Sequence, residues 1–431
     1  MADGSADRWR GLLVLGCWLL VSPAAQAIVG DRFGDFGLDG SLRTITGASV
    51  NYDAWLRDPR SGDTVPLFAE DADGFSQSIL RLEAGGEPLD WLKYEIHGVQ
   101  DLNLTTSGDL FGGQLFTGSS AGRYRFTDGD WQWGDADHVR ARMWLDRLNL
   151  QFRLPWFDIE VGRQPITFGK AHFWNPLDVF LAFDPRQFDR DYKPGVDALR
   201  IDVPLGMFSG VTAVGVAGRD PQDGAVGAGW RGSALLLRAY TTQWEWDFSV
   251  QGGKVYGGYQ VGAAAVGELL QVELRAEGAY FFSMDEDPVP DHFTGVLGLG
   301  HRFDFDLLLE AEYLYNGAGD TGDWAAALQR VADGRSYHMG RHLLGVLVDY
   351  QILPILRGSL AWIFSFSDRS SLLQPSFVFS VADEADFLFG AMIALGARPT
   401  LAAQALDNPL GMNSEFGTYP NFYYMEFKFY F

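Results

Sequence analysis

The chain has 431 residues, of which 52 are Gly and 14% are aromatic, yet its mean hydropathy is only −0.05. That combination suits neither a helical membrane protein nor a soluble multidomain enzyme; it fits strands with one apolar and one polar face. A formal net charge of −23 argues against nucleic acid and anionic lipid as partners.

The N-terminus reads as a signal peptide spanning residues 1–27. Arg8 and Arg10 supply the charged region, Gly11 to Val21 the apolar one, and Ala25-Gln26-Ala27 the small-x-small cleavage site. The apolar stretch falls short of the ~20 residues a membrane span needs. Cys17 is the only cysteine, so the exported chain, residues 28–431, has neither a disulfide framework nor a thiolate metal site. An oxidising periplasm suits it.

Beyond the signal, apolar and polar residues alternate with period two. Trp244, Trp246, Phe248 and Val250 alternate with Glu245, Asp247, Ser249 and Gln251. Val272 to Phe282 and Phe303 to Tyr315 repeat the pattern. Successive side chains of a strand point to opposite faces, so one face suits lipid and the other water.

The connections carry the stronger signal. A long polar stretch follows the first strand, around Leu38–Val50, and then comes a short turn at Gly85-Gly86-Glu87-Pro88. Asp101–His138 is long and Pro155-Trp156 short; Gly169–Gly195 is long and Pro204–Ser209 short; Gly218–Arg231 is long and Thr241–Gln243 short. Asn316–Gly340 and Arg398–Asn421 continue the rhythm, while Gly252–Gly258 and Ser367–Ser371 are modest. Long loops at one end and tight turns at the other are the signature of an all-β, transmembrane, up-and-down antiparallel β-barrel. The pattern holds about 18 strands, or 16 if the weakly patterned Ser233–Tyr240 and Tyr259–Val266 are not strands. The barrel accounts for residues 28–431 as a single domain, with both termini at the tight-turn end.

The last strand places Tyr423, Met425, Phe427, Phe429 and Phe431 on one face, with Glu426 and Lys428 on the other. A chain ending on such a strand resembles the C-terminal signal that barrel-assembly machinery reads in outer-membrane proteins.

With apolar faces outward, the lumen-facing set follows. It contains the acids Glu83, Glu95, Asp158, Glu160, Asp202, Glu245, Asp247, Glu273, Glu277, Asp304, Asp306, Glu310, Glu312, Asp349 and Glu426. It also contains Arg81, Lys93, Arg147, Arg153, Arg200, Arg275 and Lys428. A charge facing lipid near the midplane would cost roughly 2–4 kcal/mol for Arg or Lys, a cost the alternation avoids. A barrel of this size leaves an aqueous channel, and an acidic lining favours cations. The expectation is diffusion of small hydrophilic solutes with mild cation preference.

The third long connection is too aromatic for a solvated loop: Phe173, Trp174, Phe180, Phe183, Phe188 and Tyr192 would expose a large apolar area. Folding it against the inner wall hides that area and puts Asp178, Asp184, Arg186, Asp189, Arg190 and Asp191 at a pore constriction.

Gly162-Arg163-Gln164, then Phe168-Gly169, Trp174-Asn175-Pro176-Leu177-Asp178-Val179-Phe180 and Pro194-Gly195-Val196-Asp197-Ala198-Leu199-Arg200 form a block of about forty residues. The block resembles a loosely characterised group of porin-like outer-membrane β-barrel proteins. Its Gly-Arg-Gln strand is also similar to that of alginate-export-type barrels, but the arginine-rich lumen of an alginate exporter is not evident. The resemblance implies a porin-like barrel in a Gram-negative-type outer membrane, in contact with its lipid, and an oligomer that is often a homotrimer.

No catalytic or cofactor constellation competes. The seven histidines fall mostly in loops or near strand ends, with no serine hydrolase motif beside them. Acidic loops such as Asp128-Gly129-Asp130 lack full Ca²⁺-loop spacing. The expectation is therefore no enzyme, no cofactor and no metal. The alternative from another class is a non-conducting barrel serving as scaffold, adhesin or sheath for a periplasmic partner.

Overall fold

The computed structural model describes residues 29–30, 34–57, 63–68, 70–106, 123–127, 129–136, 138–180, 192–220, 227–284 and 287–431. The segment read as a signal peptide lies outside them, as do Asp128 and residues 181–191. Among the described residues, no helix is long and apolar enough to cross a membrane.

Eighteen antiparallel strands close on themselves. They are β1 (Gly37–Val50), β2 (Ala72–Leu89), β3 (Leu92–Thr105), β4 (Val139–Arg153), β5 (Asp158–Gln164) and β6 (Val196–Pro204), then β7 (Ser209–Val216), β8 (Ala234–Gln243), β9 (Trp246–Val255), β10 (Gly258–Leu269), β11 (Val272–Ser283) and β12 (His292–Arg302). The circuit ends with β13 (Leu307–Asn316), β14 (His342–Leu353), β15 (Leu356–Ser365), β16 (Ser370–Ala382), β17 (Ala385–Leu395) and β18 (Asn421–Tyr430). Closure pairs β18 with β1 in unbroken register from Ser41↔Tyr430 to Val50↔Asn421. Gly40 and Phe431 then exchange both backbone hydrogen bonds, at 2.7 and 2.9 Å. The two weakly patterned segments are both strands, β8 and β10, which decides eighteen over sixteen.

Eight tight turns of two or four residues alternate with connections at the other end that are mostly longer, the exceptions being residues 256–257 between β9 and β10 and residues 366–369 between β15 and β16. Three turns fall elsewhere than the pattern suggested. β2 runs through Gly85-Gly86-Glu87-Pro88, and its turn is residues 90–91. The backbone of Asp35 lies against Gly86, where any Cβ would sit 2.2 Å from the Asp35 carbonyl oxygen. Glycine there serves close backbone approach, not chain reversal. Trp244 and Glu245 form the β8–β9 turn with φ of 53° and 66°. Residues 303–306 turn β12 into β13.

The outer face is read from Leu235, Leu236 and Leu237 in β8. The first and third are 62% and 56% exposed, and the second is 1% exposed. Identical side chains thus meet opposite environments purely by strand parity. Near the long-loop end the inner face is itself apolar. Ile45, Phe75, Val296, Leu314, Leu343, Ile363, Leu372 and Phe422 pack there with Phe173, Trp174, Phe416 and Tyr419 from the loops. A second core joins Ile166, Phe168 and Phe180 to Val196, Val214, Leu236 and Phe281.

β5, at seven residues, stops well short of β4. A segment of the second long connection, Asp130–Ala136, takes over the vacated edge and pairs with β4 from Trp144 to Val139.

Candidate functional site

The site begins where β5 leaves the wall. Gly162 has φ +116°, and a Cβ there would lie 2.1 Å from the Leu148 carbonyl oxygen, so only glycine allows β4 to approach so closely. Arg163 follows. Its guanidinium donates to Asp197 at the head of β6, to the Leu145 carbonyl at 2.9 Å and to the Thr127 carbonyl at 2.5 Å. One side chain therefore ties β5, β6, β4 and the second connection together. Gln164 donates to the carbonyls of Glu160 and Ala198. The Gly-Arg-Gln and Val-Asp-Ala pieces of the sequence block are two halves of one clamp.

The chain then crosses to the opposite strands. Asn175 Oδ1 accepts from Ala171 N at 2.9 Å, against a Gly169 with no room for a Cβ. Glu277 of β11 accepts from the backbone N–H groups of Lys170 and Ala171. Glu312 of β13 accepts from His172 N at 2.6 Å and Phe173 N at 2.7 Å, one to each oxygen. Further along, Gln260 and Gln251 donate to the carbonyls of Pro176 and Leu177 at 3.1 and 2.8 Å. Leu177 packs on Ala264 and Ala279. The wall residues making these bonds sit on the face opposite the exposed apolar side chains, such as Leu297, Leu299 and Leu309.

Asp178 is 5% exposed, and both its oxygens accept from the equally buried Lys193. Burial pushes the Asp178 carboxyl up and the Lys193 ammonium down, and each charge is the other's counterweight. The pair holds the two ends of the loop together. The remaining constriction candidates, Asp184, Arg186, Asp189, Arg190 and Asp191, lie outside the described residues.

Much of the expected acidic lining is paired. Lys93 meets Glu95 at 2.8 Å, Arg200 meets Asp202 at 2.6 Å, and Arg357 meets Asp349 at 2.6 Å. Arg153 is bidentate to Glu87. Arg275 serves Glu273, Glu310 and Glu312. Glu83 lies 3.9 Å from His97, and Arg147 stands opposite His97 in the register. Glu160 is level with Arg200, and Asp158 with Asp202. Asp247 accepts from the Thr242 hydroxyl and lies 3.8 Å from Lys170. Arg43 and Lys428 flank Glu426. Glu245, Asp304 and Asp306 stand exposed in turns, because the chain reverses where a strand was expected to run on.

Asp146 was not foreseen. A bulge opposite His97/Gly98 puts it beside Arg147, off the expected parity. It takes Arg81 at 2.7 Å and lies 3.7 Å from Arg125. The polar residues of β4 switch from even (140, 142, 146) to odd (147, 149, 151, 153) numbers there, a legible signal. Sequence reading also missed the buried His338–Glu415 bond of 2.7 Å. Glu415 additionally accepts from Met339 N and Gly340 N, so the ninth long connection is tied to the seventh. A cavity of 390 Å³ lies between the start of the inserted loop and β8–β10, lined by Phe168, Lys170, Arg238, Tyr240, Asp247 and Ser249 among others.

At the C-terminus, Tyr423 and Met425 are half exposed on the apolar face. Phe427 meets Phe387, and Phe429 meets Phe431.

No family model and no curated protein matches the chain. Solved structures do. Pseudomonas aeruginosa OccD3 (OpdP) aligns over 95% of each chain with a TM-score of 0.52 at 10% identity. Pseudomonas aeruginosa OccK9 (OpdG) aligns over 93% of this chain and 99% of its own, with a TM-score of 0.53 at 10% identity. A BenF-like porin from Pseudomonas fluorescens Pf-5 has the same coverage and identity with a TM-score of 0.52. At this identity the likeness is one of fold: the chain shares the closed barrel of these proteins along nearly its whole length.

Proposed function

We propose that this barrel, which shares its fold with a BenF-like porin among others, is an outer-membrane channel for passive diffusion of small hydrophilic solutes. The observation that carries the reading is the loop inside the wall: residues 170–173 are held by Glu277 and Glu312, on the face opposite the exposed apolar side chains. A strand face lined by ion pairs needs water on its other side, and a segment laid across that water narrows the path. The inserted third loop is thus the constriction, with Asp178 beside it.

Mild cation preference belongs to the same reading. Acids outnumber bases on the polar face, although pairs such as Arg275 with Glu310 absorb much of the excess, so the preference is small. Export by a cleaved signal peptide, recognition of Tyr423, Met425, Phe427, Phe429 and Phe431 by barrel-assembly machinery, and a homotrimeric state complete the proposal. It assigns no catalytic step and no cofactor.

Purified protein in a planar bilayer tests it. Discrete conductance steps are expected, with a reversal potential in a salt gradient displaced toward cations. Closed bilayers would favour the second reading, a non-conducting scaffold, adhesin or sheath. The burial of Phe173, Trp174 and Phe416 in one apolar cluster near the long-loop end speaks for that reading.

A further inference from the structure

The outer face of the described strands is built of apolar side chains, with one island of polar ones. On β1, β2 and β3 the buried Ile45, Gln77 and Val99 face inward, while Leu82 and Ile96, each 41% exposed, mark the outward parity. That parity also sends Thr44, Thr46, Ser76, Ser78 and Gln100 outward. They lie together. Thr44 stands opposite Ser78 and Thr46 opposite Ser76, with their hydroxyl oxygens 3.1 and 3.0 Å apart. Gln100 is level with Leu80 and Ser78 with Leu102, which sets Gln100 one diagonal step from Ser78. Among the described residues Gln100 makes no side-chain hydrogen bond. Leu42, Leu80, Leu102, Leu104, Met143 and Phe427 surround the island. Another outward hydroxyl pair, Ser209 with Thr241, sits beside a tight turn.

We propose that this island is a docking face for a second copy of the chain, wall against wall within the bilayer. The inference rests on the reading of the chain as an outer-membrane barrel and gives its oligomer a face. A hydroxyl pair consumes one O–H; the other O–H, the spare lone pairs and the whole Gln100 amide are left pointing outward. Lipid tails offer them no partner, whereas Ser, Thr and Gln side chains bond across protein contacts inside membranes. Three observations choose a second copy. The island holds no Asp, Glu, Lys or Arg, so it asks for neither a charged partner nor a headgroup. Each of its groups both donates and accepts, so the same set on another copy complements it. The area also suffices. β18 and β1 to β4, spaced ~4.8 Å and tilted ~40°, span about 30 Å of circumference, and an apolar band of about 25 Å gives that face roughly 750 Å². A stable interface takes about 800 Å² from each partner. Ala48 and Gly98 share the outward parity beside the island, and small residues let two walls approach closely.

The test uses the full chain in native envelopes, carrying a photoreactive benzophenone side chain at position 78, 100 or, on the far wall, 297. Irradiation at 78 or 100 is expected to give species of two or three times the chain mass that contain this chain alone, and 297 to give lipid adducts only. Lipid adducts alone at 78 and 100, or multimers formed as readily from 297, overturn the docking face; with lipid captured at 297 the barrel reading stands. A different protein captured at 78 or 100 overturns it as well. No lipid adduct at 297 overturns the membrane reading itself. A second variant combines Thr44→Val, Thr46→Val, Ser76→Ala, Ser78→Ala and Gln100→Leu, which suits lipid better than the native face does. It should keep the heat-modifiable barrel band and the conductance steps, yet lose most of its oligomer, severalfold or more, in mild detergent. An oligomer that persists unchanged overturns the proposal.

Discussion

Arg163 donates from Nε to Asp197 Oδ1 at 2.7 Å and from Nη2 to Asp197 Oδ2 at 3.0 Å, a bidentate pair with the arginine only 4% exposed. It sits where β5 leaves the wall and β6 begins, so the two ends of the inserted loop are fastened at one point. Removing one partner of a buried pair costs roughly 3–5 kcal/mol, because the other is left uncompensated. Arg163→Ala and Asp197→Asn should therefore each lower the urea midpoint of the folded, gel-fast barrel. The double variant should lose clearly less than the sum. Strictly additive losses would mean the pair is not coupled.

Glu277 and Glu312 hold consecutive amides of the loop. A glutamine keeps one acceptor oxygen and loses the charge, and each hydrogen bond to a charged group is worth roughly 1.5–3 kcal/mol. Glu277→Gln combined with Glu312→Gln should leave the barrel folded but release residues 170–173. Single-channel records should then show larger mean conductance and more open-channel noise. Unchanged traces would remove the loop from the conducting path.

Lys193→Met leaves the Asp178 carboxylate buried and alone. The expected loss is again roughly 3–5 kcal/mol, read as a lower melting temperature. Adding Asp178→Asn should restore much of it, since a neutral amide tolerates the site better. Failure of the second change to rescue would show that Lys193 matters by packing alone.

Asp287 supplies a pH prediction. Burial by itself would raise its carboxyl, but the hydrogen bonds from Arg335, Val289 N and Arg231 outweigh burial and hold it below the ordinary carboxylate range. A depressed folded-state value means stability that is present above the unfolded value and lost as pH falls through the folded one. Protease nicking near residues 284–291 should therefore rise only below about pH 4, the unfolded value of an aspartate. In Asp287→Asn the acid-dependent part of that rise should vanish.

Gly162→Ala should block assembly, because the added Cβ would meet the Leu148 carbonyl oxygen at 2.1 Å. Loss of the heat-modifiable band is the readout, and a normal band would show that β4 can move aside.

By itself the sequence determined the architecture. Period-two alternation and the alternation of long and short connections are local properties of the chain, and a closed barrel is the arrangement that leaves no strand edge unpaired in lipid. The aromatic content of residues 168–180 likewise marked a loop that water would not accept. What escaped was decided by contacts between residues far apart. Gly86 looked like a turn and is a point where the Asp35 backbone crosses. Asp304 and Asp306 looked like wall residues and reverse the chain. The apolar inner face was written in Leu235-Leu236-Leu237 and Trp362-Ile363-Phe364, runs with no polar side, but only the loops packed on Leu236 and Ile363 give those runs a meaning. Charge fared likewise: composition counted the acids, and tertiary structure alone set Arg275 beside Glu310 and the Glu312 carboxylate against two amides of a loop 140 residues away. Alternation depends on neighbours along the strand, whereas ion pairing depends on register across strands and on where a long loop comes to rest.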